Sequence, residues 1–319
     1  MTDVIGAIDC GTNSTRLLII DDDRNQLVRE SCVTRLGELV DTTKILGDLA
    51  LDRTLEVLKS YKATGDKYGV TRWGIVATSA VRDSKNSYEF TDKVKSLFGQ
   101  NPKILSGYKE AILTFVGAMS GLDTTDEQVV VIDIGGGSTE IVCGQQKNYL
   151  KSEDYENNFL ETSMGGSVDI GCVRLTERYL KSDPVSATEL EAALNYAESL
   201  FATVSLRIQR LNPSRIYAVA GTAISLFMIS HNITKYSRKL IHNQTLKLSE
   251  IETLLYNLAK MSLSERQNLP TLEIQRAEVI VAGAIIFYSA VKSFGLEFCN
   301  VLESDILDGL AIQTLISPT

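Results

Sequence analysis

The chain has 319 residues, 44% of them hydrophobic and 23% charged, and its 32 basic against 40 acidic side chains leave a formal net charge of −8. That length exceeds what a single core usually organises, so two domains are expected, and the acidic balance argues against a broad nucleic-acid-binding face, which needs clustered Lys and Arg. The longest apolar run, 279–291, falls short of the ~20 residues that span a bilayer, so it reads as a buried helix and no membrane partner is expected.

The first 125 residues alternate strands and helices. Runs at Val4–Asp9, Arg16–Ile20 and Leu27–Leu36, broken by turns at Gly11–Ser14 and Asp21–Asn25, predict an antiparallel meander. Helical spacing follows at Leu49–Tyr68, Tyr88–Phe98 and Glu110–Met119, with short strands at Trp73–Ala77 and Lys103–Leu105. The polar stretch Gly121–Gln128 marks a domain boundary, giving domains 1–124 and 125–319, with a C-terminal helix over 304–319 as a candidate to pack back onto the first. The second half opens with strands at Val129–Asp133, Thr139–Cys143 and Phe159–Ser163. Capping boxes are expected at Ser186 with Glu189 and at Ser249 with Glu252, and the strand Arg215–Val219 leads into Ala220-Gly221-Thr222.

The two halves begin alike. Ile8-Asp9-Cys10-Gly11-Thr12-Asn13-Ser14-Thr15-Arg16 matches Ile132-Asp133-Ile134-Gly135-Gly136-Gly137-Ser138-Thr139-Glu140 at five of nine positions, a repeat that predicts two related domains facing one cleft. Each turn offers small residues whose backbone N–H groups can approach an anion, plus a hydroxyl at Ser14 or Ser138. Oriented amides let an acidic protein grip a phosphate locally. Asp9 and Asp133, at the strand ends, would repel phosphate unless a hard divalent cation lay between, and Mg2+ suits such a site. A glycine-rich hairpin is otherwise only a tight turn.

Five scattered cysteines, Cys10, Cys32, Cys143, Cys172 and Cys299, form no CxxC pair and read as reduced, mostly buried thiols of a cytoplasmic protein. The only histidines, His231 and His242, lack neighbours at ligand spacing, which leaves little room for zinc.

Taken together, the paired turns, the segment Ala77-Thr78-Ser79-Ala80-Val81-Arg82-Asp83 with Asn86, the segment Ser106-Gly107-Tyr108-Lys109-Glu110-Ala111 and the third glycine turn Ala220-Gly221-Thr222 resemble the exopolyphosphatase and guanosine pentaphosphate phosphohydrolase family, within the actin-like ATPase and sugar kinase superfamily. The resemblance runs nearly the whole chain. It implies an α/β fold of two actin-like (ribonuclease H-like) domains, mixed sheets flanked by helices, and an interdomain cleft. It also implies Glu110 as general base and Arg82 on the phosphoryl oxygens. The phosphate-binding set would be Gly11, Thr12, Asn13, Ser14, Gly135, Gly136, Gly137, Ser138, Gly221 and Thr222, with Asp133 and Asp9 holding the metal. Arg16 and Glu140 are lesser candidates, expected to pair with each other or with backbone.

The chain departs from the family at Lys109, where a second acidic residue is common, and at Leu307-Asp308-Gly309, where many relatives carry an arginine. It looks like the short form, so short polyphosphate chains are the expected substrate, with guanosine pentaphosphate as the alternative and a homodimer as the expected assembly. On the residues alone, Glu110 reads as a solvated first-turn carboxylate, and Arg82 could equally be an ordinary surface residue. Other classes stay open: a cysteine phosphatase on the C-x5-R spacing of Cys10 and Arg16, a sugar or acetate kinase on the same fold, or a non-catalytic phosphate-polymer sensor.

Overall fold

The structure, a computed structural model, describes residues 3–123, 126–145 and 163–317. The chain divides into two compact units, Met1–Gly117 with Ile306–Thr319, and Ala118–Asp305.

In the first unit, β1 (Ile5–Cys10), β2 (Ser14–Ile20) and β3 (Gln26–Val33) form the antiparallel meander, while β4 (Arg72–Ala77) and β5 (Lys103–Ile104) add parallel to it, in the order β3-β2-β1-β4-β5. Strand β1 is buried throughout because helices cover both faces, and its side chains divide with the two-residue period of a strand. Ile8 and Cys10 join Leu17, Ile19, Leu58 and Phe90 in the core under the helices Asp48–Tyr68 and Ser87–Phe98. Ile5 and Ala7 join Leu18, Val76, Leu113 and Leu310 on the other face, beneath the final helix, Ile306–Ile316. That helix crosses the Gly107–Ser120 helix very closely: a Cβ on Gly309 would lie 2.0 Å from the Leu113 carbonyl oxygen.

The second unit repeats the plan. Strands β6 (Gln128–Ile134), β7 (Thr139–Gln145) and β8 (Met164–Val168) form its meander, β9 (Arg215–Val219) runs parallel beside β6, and β11 (Phe298–Val301) runs parallel beside β9, with β10 (Gln244–Lys247) as an extra antiparallel edge. Read from the meander outward, the orders β3-β2-β1-β4-β5 and β8-β7-β6-β9-β11-β10 coincide until that edge. The apolar run at 279–291 is the helix Ile280–Ser293, buried from Ile280 to Val291 and packed against the helices Ala187–Ile208 and Leu248–Lys260.

Three expectations change in detail. The chain passes between units inside the Gly107–Ser120 helix, at 117/118, earlier than the polar stretch that marked 124/125, because the apolar periodicity carries one helix through to the buried Met119. Strand β3 stops at Val33, since Thr34 and Arg35 donate their backbone N–H groups to the Asn13 carbonyl instead of to a ladder. The box at Ser186 and Glu189 forms, but the later helix starts at Leu248: Glu250 accepts from the Lys247 N–H at 2.8 Å, while Glu252 accepts from the Tyr288 hydroxyl at 2.9 Å. Of the strand expected at Phe159–Ser163, residues 159–162 lie outside the described residues.

Gly309→Ala should lower the unfolding free energy by about 1–3 kcal/mol, the usual cost of forcing a methyl group into a filled contact. The shift in urea midpoint measures it.

Candidate functional site

The two glycine turns close in the same way. Gly11 N–H donates to Ser14 O at 3.0 Å and Gly135 N–H donates to Ser138 O at 3.0 Å. A Cβ on either glycine would meet that serine oxygen, at 2.9 Å for Gly11 and 3.0 Å for Gly135, so close approach of backbone to backbone is what requires glycine here.

Each turn is also braced from behind. In the first, Asn13 O accepts from Thr34 and Arg35, Thr12 O accepts from Gly37, and the Thr12 hydroxyl bonds that of Ser79 at 2.7 Å. In the second, Gly135 O accepts from Cys172, Gly136 O accepts from Val173 and Arg174, and Thr222 Oγ1 donates to Ile134 O at 3.2 Å. With these carbonyls engaged, what remains for a ligand is chiefly N–H and hydroxyl groups, a lining suited to anions. The helix Ala220–Ser230 begins at Gly221-Thr222, and a Cβ on Gly221 would lie 2.4–2.6 Å from the Arg276 guanidinium. That cation sits on the third glycine turn.

The carboxylates at the strand ends differ between the units. Asp9 lies directly across the ladder from Arg16, which grips its Oδ2 through Nε at 3.1 Å and Nη2 at 2.6 Å. At the matching place in the second hairpin, Asp133 lies across from Glu140. Directly opposed residues share a sheet face, so two acids, 6% and 2% exposed, stand side by side there. Arg16 and Glu140 therefore serve their own hairpins: Arg16 neutralises Asp9, and Glu140 Oε1 accepts from the Ser167 hydroxyl at 2.7 Å.

The residues fit a hard cation at Asp133 and Glu140. Buried neighbouring carboxylates are costly unless a proton or a cation is shared, and their oxygen donors match magnesium. Among the described residues there is no preassembled cluster of three or more His, Cys, Asp or Glu side chains. Magnesium typically takes one or two carboxylates and completes its shell with water and substrate phosphate. Asp9 is less suited, its charge being met by Arg16.

Parallel strand ends bring Arg82 and Glu110 together across 28 positions of sequence. Arg82 ends the short helix Ser79–Arg82 after β4, and Glu110 lies in the first turn of the helix after β5. Arg82 Nη1 donates to Glu110 Oε2 at 3.2 Å and to Leu105 O at 2.9 Å. Glu110, 8% exposed, is thus a buried, paired carboxylate and no solvated helix residue. Lys109 is exposed on the same turn. Asn86 is a structural pin, its amide bonding both the N–H and the carbonyl of Leu46. Asp308 accepts an ion pair from Arg29. Sequence reading missed the Asp133–Glu140 opposition, which hairpin register could have revealed, and Arg276, for which no local signal exists.

Cys10 is fully buried, and burial together with the charge of Asp9 pushes its thiol well above the ordinary range. A reactive thiolate needs the reverse, so the C-x5-R spacing is incidental.

These features define an α/β protein of two like units, each built on a mixed sheet flanked by helices and opened by a glycine-turn hairpin. Residues 18–312 match the Ppx/GppA phosphatase family. Among curated proteins, Exopolyphosphatase 2 of Mycobacterium tuberculosis is 34% identical over 326 residues, covering 97% of this chain and 98% of its own. Among solved structures, an exopolyphosphatase from Cytophaga hutchinsonii superposes with a TM-score of 0.86 at 26% identity, covering 98% of each chain. The Aquifex aeolicus Ppx/GppA family member superposes with a TM-score of 0.77 at 27% identity, covering 97% of this chain and 96% of that one. The chain belongs to the Ppx/GppA phosphatase family, whose solved members share its fold.

Alkylation of the native protein with iodoacetamide at pH 8 should label the exposed Cys32 and spare Cys10. Peptide mass spectrometry reads the ratio, and Cys10 labelled as fast as Cys32 would contradict the burial argument.

Proposed function

We propose that the chain is an exopolyphosphatase, a hydrolase that releases orthophosphate from the end of inorganic polyphosphate in a reaction dependent on a divalent cation. The observation that carries this reading is the duplicated hairpin, two glycine turns closed by the same hydrogen bond, in a chain that matches a curated exopolyphosphatase end to end. The paired carboxylates and the Arg82–Glu110 pair support it.

Hydrolysis of a phosphoanhydride needs water aligned with the leaving oxygen and charge neutralised on the transferred group. In this reading the glycine turns, with Ser14 and Ser138, bind phosphate oxygens through N–H and hydroxyl groups. Arg82 donates to the transferred phosphoryl group as its charge spreads over the equatorial oxygens. Glu110 Oε2 takes a proton from the attacking water. Asp133 and Glu140 would hold magnesium, which when bound supplies charge neutralisation on the phosphate chain. Short chains are the proposed preference, in a cytoplasmic homodimer. Guanosine pentaphosphate presents the same terminal anhydride and is the competing substrate.

Purified protein with magnesium should release phosphate from polyphosphate and stop when EDTA is added, and Glu110→Gln should lower kcat by about 10²–10⁴-fold, the usual worth of a positioned base. The ratio of kcat/KM for polyphosphate to that for guanosine pentaphosphate decides the substrate. No release from either would overturn the hydrolytic reading.

Glu140→Gln should raise the magnesium concentration giving half-maximal rate by about 10–100-fold. An unchanged magnesium requirement would remove Glu140 from the cation site.

A further inference from the structure

The pairing of Arg82 with Glu110 sets two proposed duties against each other. A carboxylate oxygen that accepts from a guanidinium is not available in that direction for a water proton, and a guanidinium held by a carboxylate is not fully available to phosphate. Arg82 Nη1 carries two hydrogens, and its two contacts, Leu105 O at 2.9 Å and Glu110 Oε2 at 3.2 Å, take both. Nε lies 3.6 Å from Asp83 Oδ1, a looser ion pair. The Leu105 contact is the firmer anchor, because Leu105 N–H is itself tied to Ala77 O on β4 at 2.9 Å. The guanidinium can keep that anchor while its remaining donors change partner.

A terminal phosphate presents several charged oxygens to a planar fork of donors, a better match than one long contact to a single carboxylate oxygen. We infer, resting on the roles proposed above for these two residues, that Arg82 is also a positioning residue. It holds Glu110 in the free protein, and an arriving phosphate chain competes with Glu110 for the guanidinium, so the base is released towards water only when substrate occupies the site. Charge is conserved in the exchange: the guanidinium leaves one anion for another, and the carboxylate it leaves is the group that next accepts a proton from water.

The test is a double-mutant cycle on binding, with sodium tripolyphosphate as ligand, titrated calorimetrically in metal-free buffer into wild type, Glu110→Gln, Arg82→Met and the double variant. Methionine keeps the apolar stem and glutamine the shape of the carboxylate, and thermal melts check that each variant folds. If Glu110 competes for Arg82, Glu110→Gln tightens tripolyphosphate about fivefold where Arg82 is present, as for a coupling near 1 kcal/mol, and has little effect in the Arg82→Met background. Simple repulsion between Glu110 and phosphate predicts the opposite order, because without Arg82 the carboxylate is unscreened and its removal matters more. A gain equal or larger in the Arg82→Met background, no gain in either, or no binding by wild type would each overturn the inference. Phosphate release with magnesium is measured separately on the same wild-type protein. Its absence alongside the expected coupling would overturn the hydrolytic reading while the competition for Arg82 still held.

Discussion

Like charges repel, and that constraint shapes everything proposed for this acidic chain. With a net charge of −8 the overall field cannot draw in a polyanion, so any phosphate must be held by groups whose positive character is local. Backbone amides at tight turns meet this need without adding net charge, and so does an arginine whose charge is already balanced by a neighbouring carboxylate. The glycines follow from the first device: only a residue without Cβ lets Gly11 and Gly135 come within hydrogen-bonding distance of the serine carbonyls that close their turns. The carbonyls at the back of each turn are engaged by neighbouring backbone, so a ligand meets mainly donors.

The two hairpins share strand order and turn closure, and one cross-strand position gives them different charge. Opposite Asp9 stands Arg16, so the first hairpin is electrically settled on its own. Opposite Asp133 stands Glu140, so the second sets two buried carboxylates side by side, the arrangement on which the proposed cation site rests. The topology, the turn and the first carboxylate are the same in both. Among the four positions at which the two segments differ, the exchange of Arg16 for Glu140 is the one that changes the charge facing that carboxylate.

The repeat was legible because it is local: nine consecutive residues on each side announce strand, turn and strand, and the alternation of Ile5 and Ala7 against Ile8 and Cys10 follows from a strand covered on both faces. Helices with strong periodicity were also found within a few residues of their true ends. What stayed hidden depends on contacts between distant positions. Val33 ends β3 because Thr34 and Arg35 bond the Asn13 carbonyl, and no property of residues 34–36 alone requires that. Ser249 and Glu252 have the spacing of a capping box, yet Tyr288, 36 positions away, claims Glu252. Arg276 reaches the Gly221 turn from 55 positions along the chain, which only a folded structure shows. Arg82 and Glu110 were read as separate candidates from separate segments, and only the parallel pairing of β4 with β5 joins them.

The helix after the last parallel strand fares differently in the two repeats, because the one that follows β11 belongs to the first unit. The helix after β5 carries Glu110 in its first turn, and its topological counterpart after β11, Ile306–Ile316, carries Asp308 in its first turn. Asp308, however, is bound to Arg29 of the first unit's meander, and Gly309 beside it is committed to the close crossing over Leu113. That ion pair and that crossing tie the final helix to the first unit's sheet. The helix start after β9 offers Gly221 and Thr222 where the start after β4 offers Arg82, and the guanidinium beside it comes from Arg276 instead. In the mechanism proposed above, the acid and the arginine therefore come from helix starts of the first unit and the paired carboxylates from the hairpin of the second, so neither repeat alone holds the proposed set.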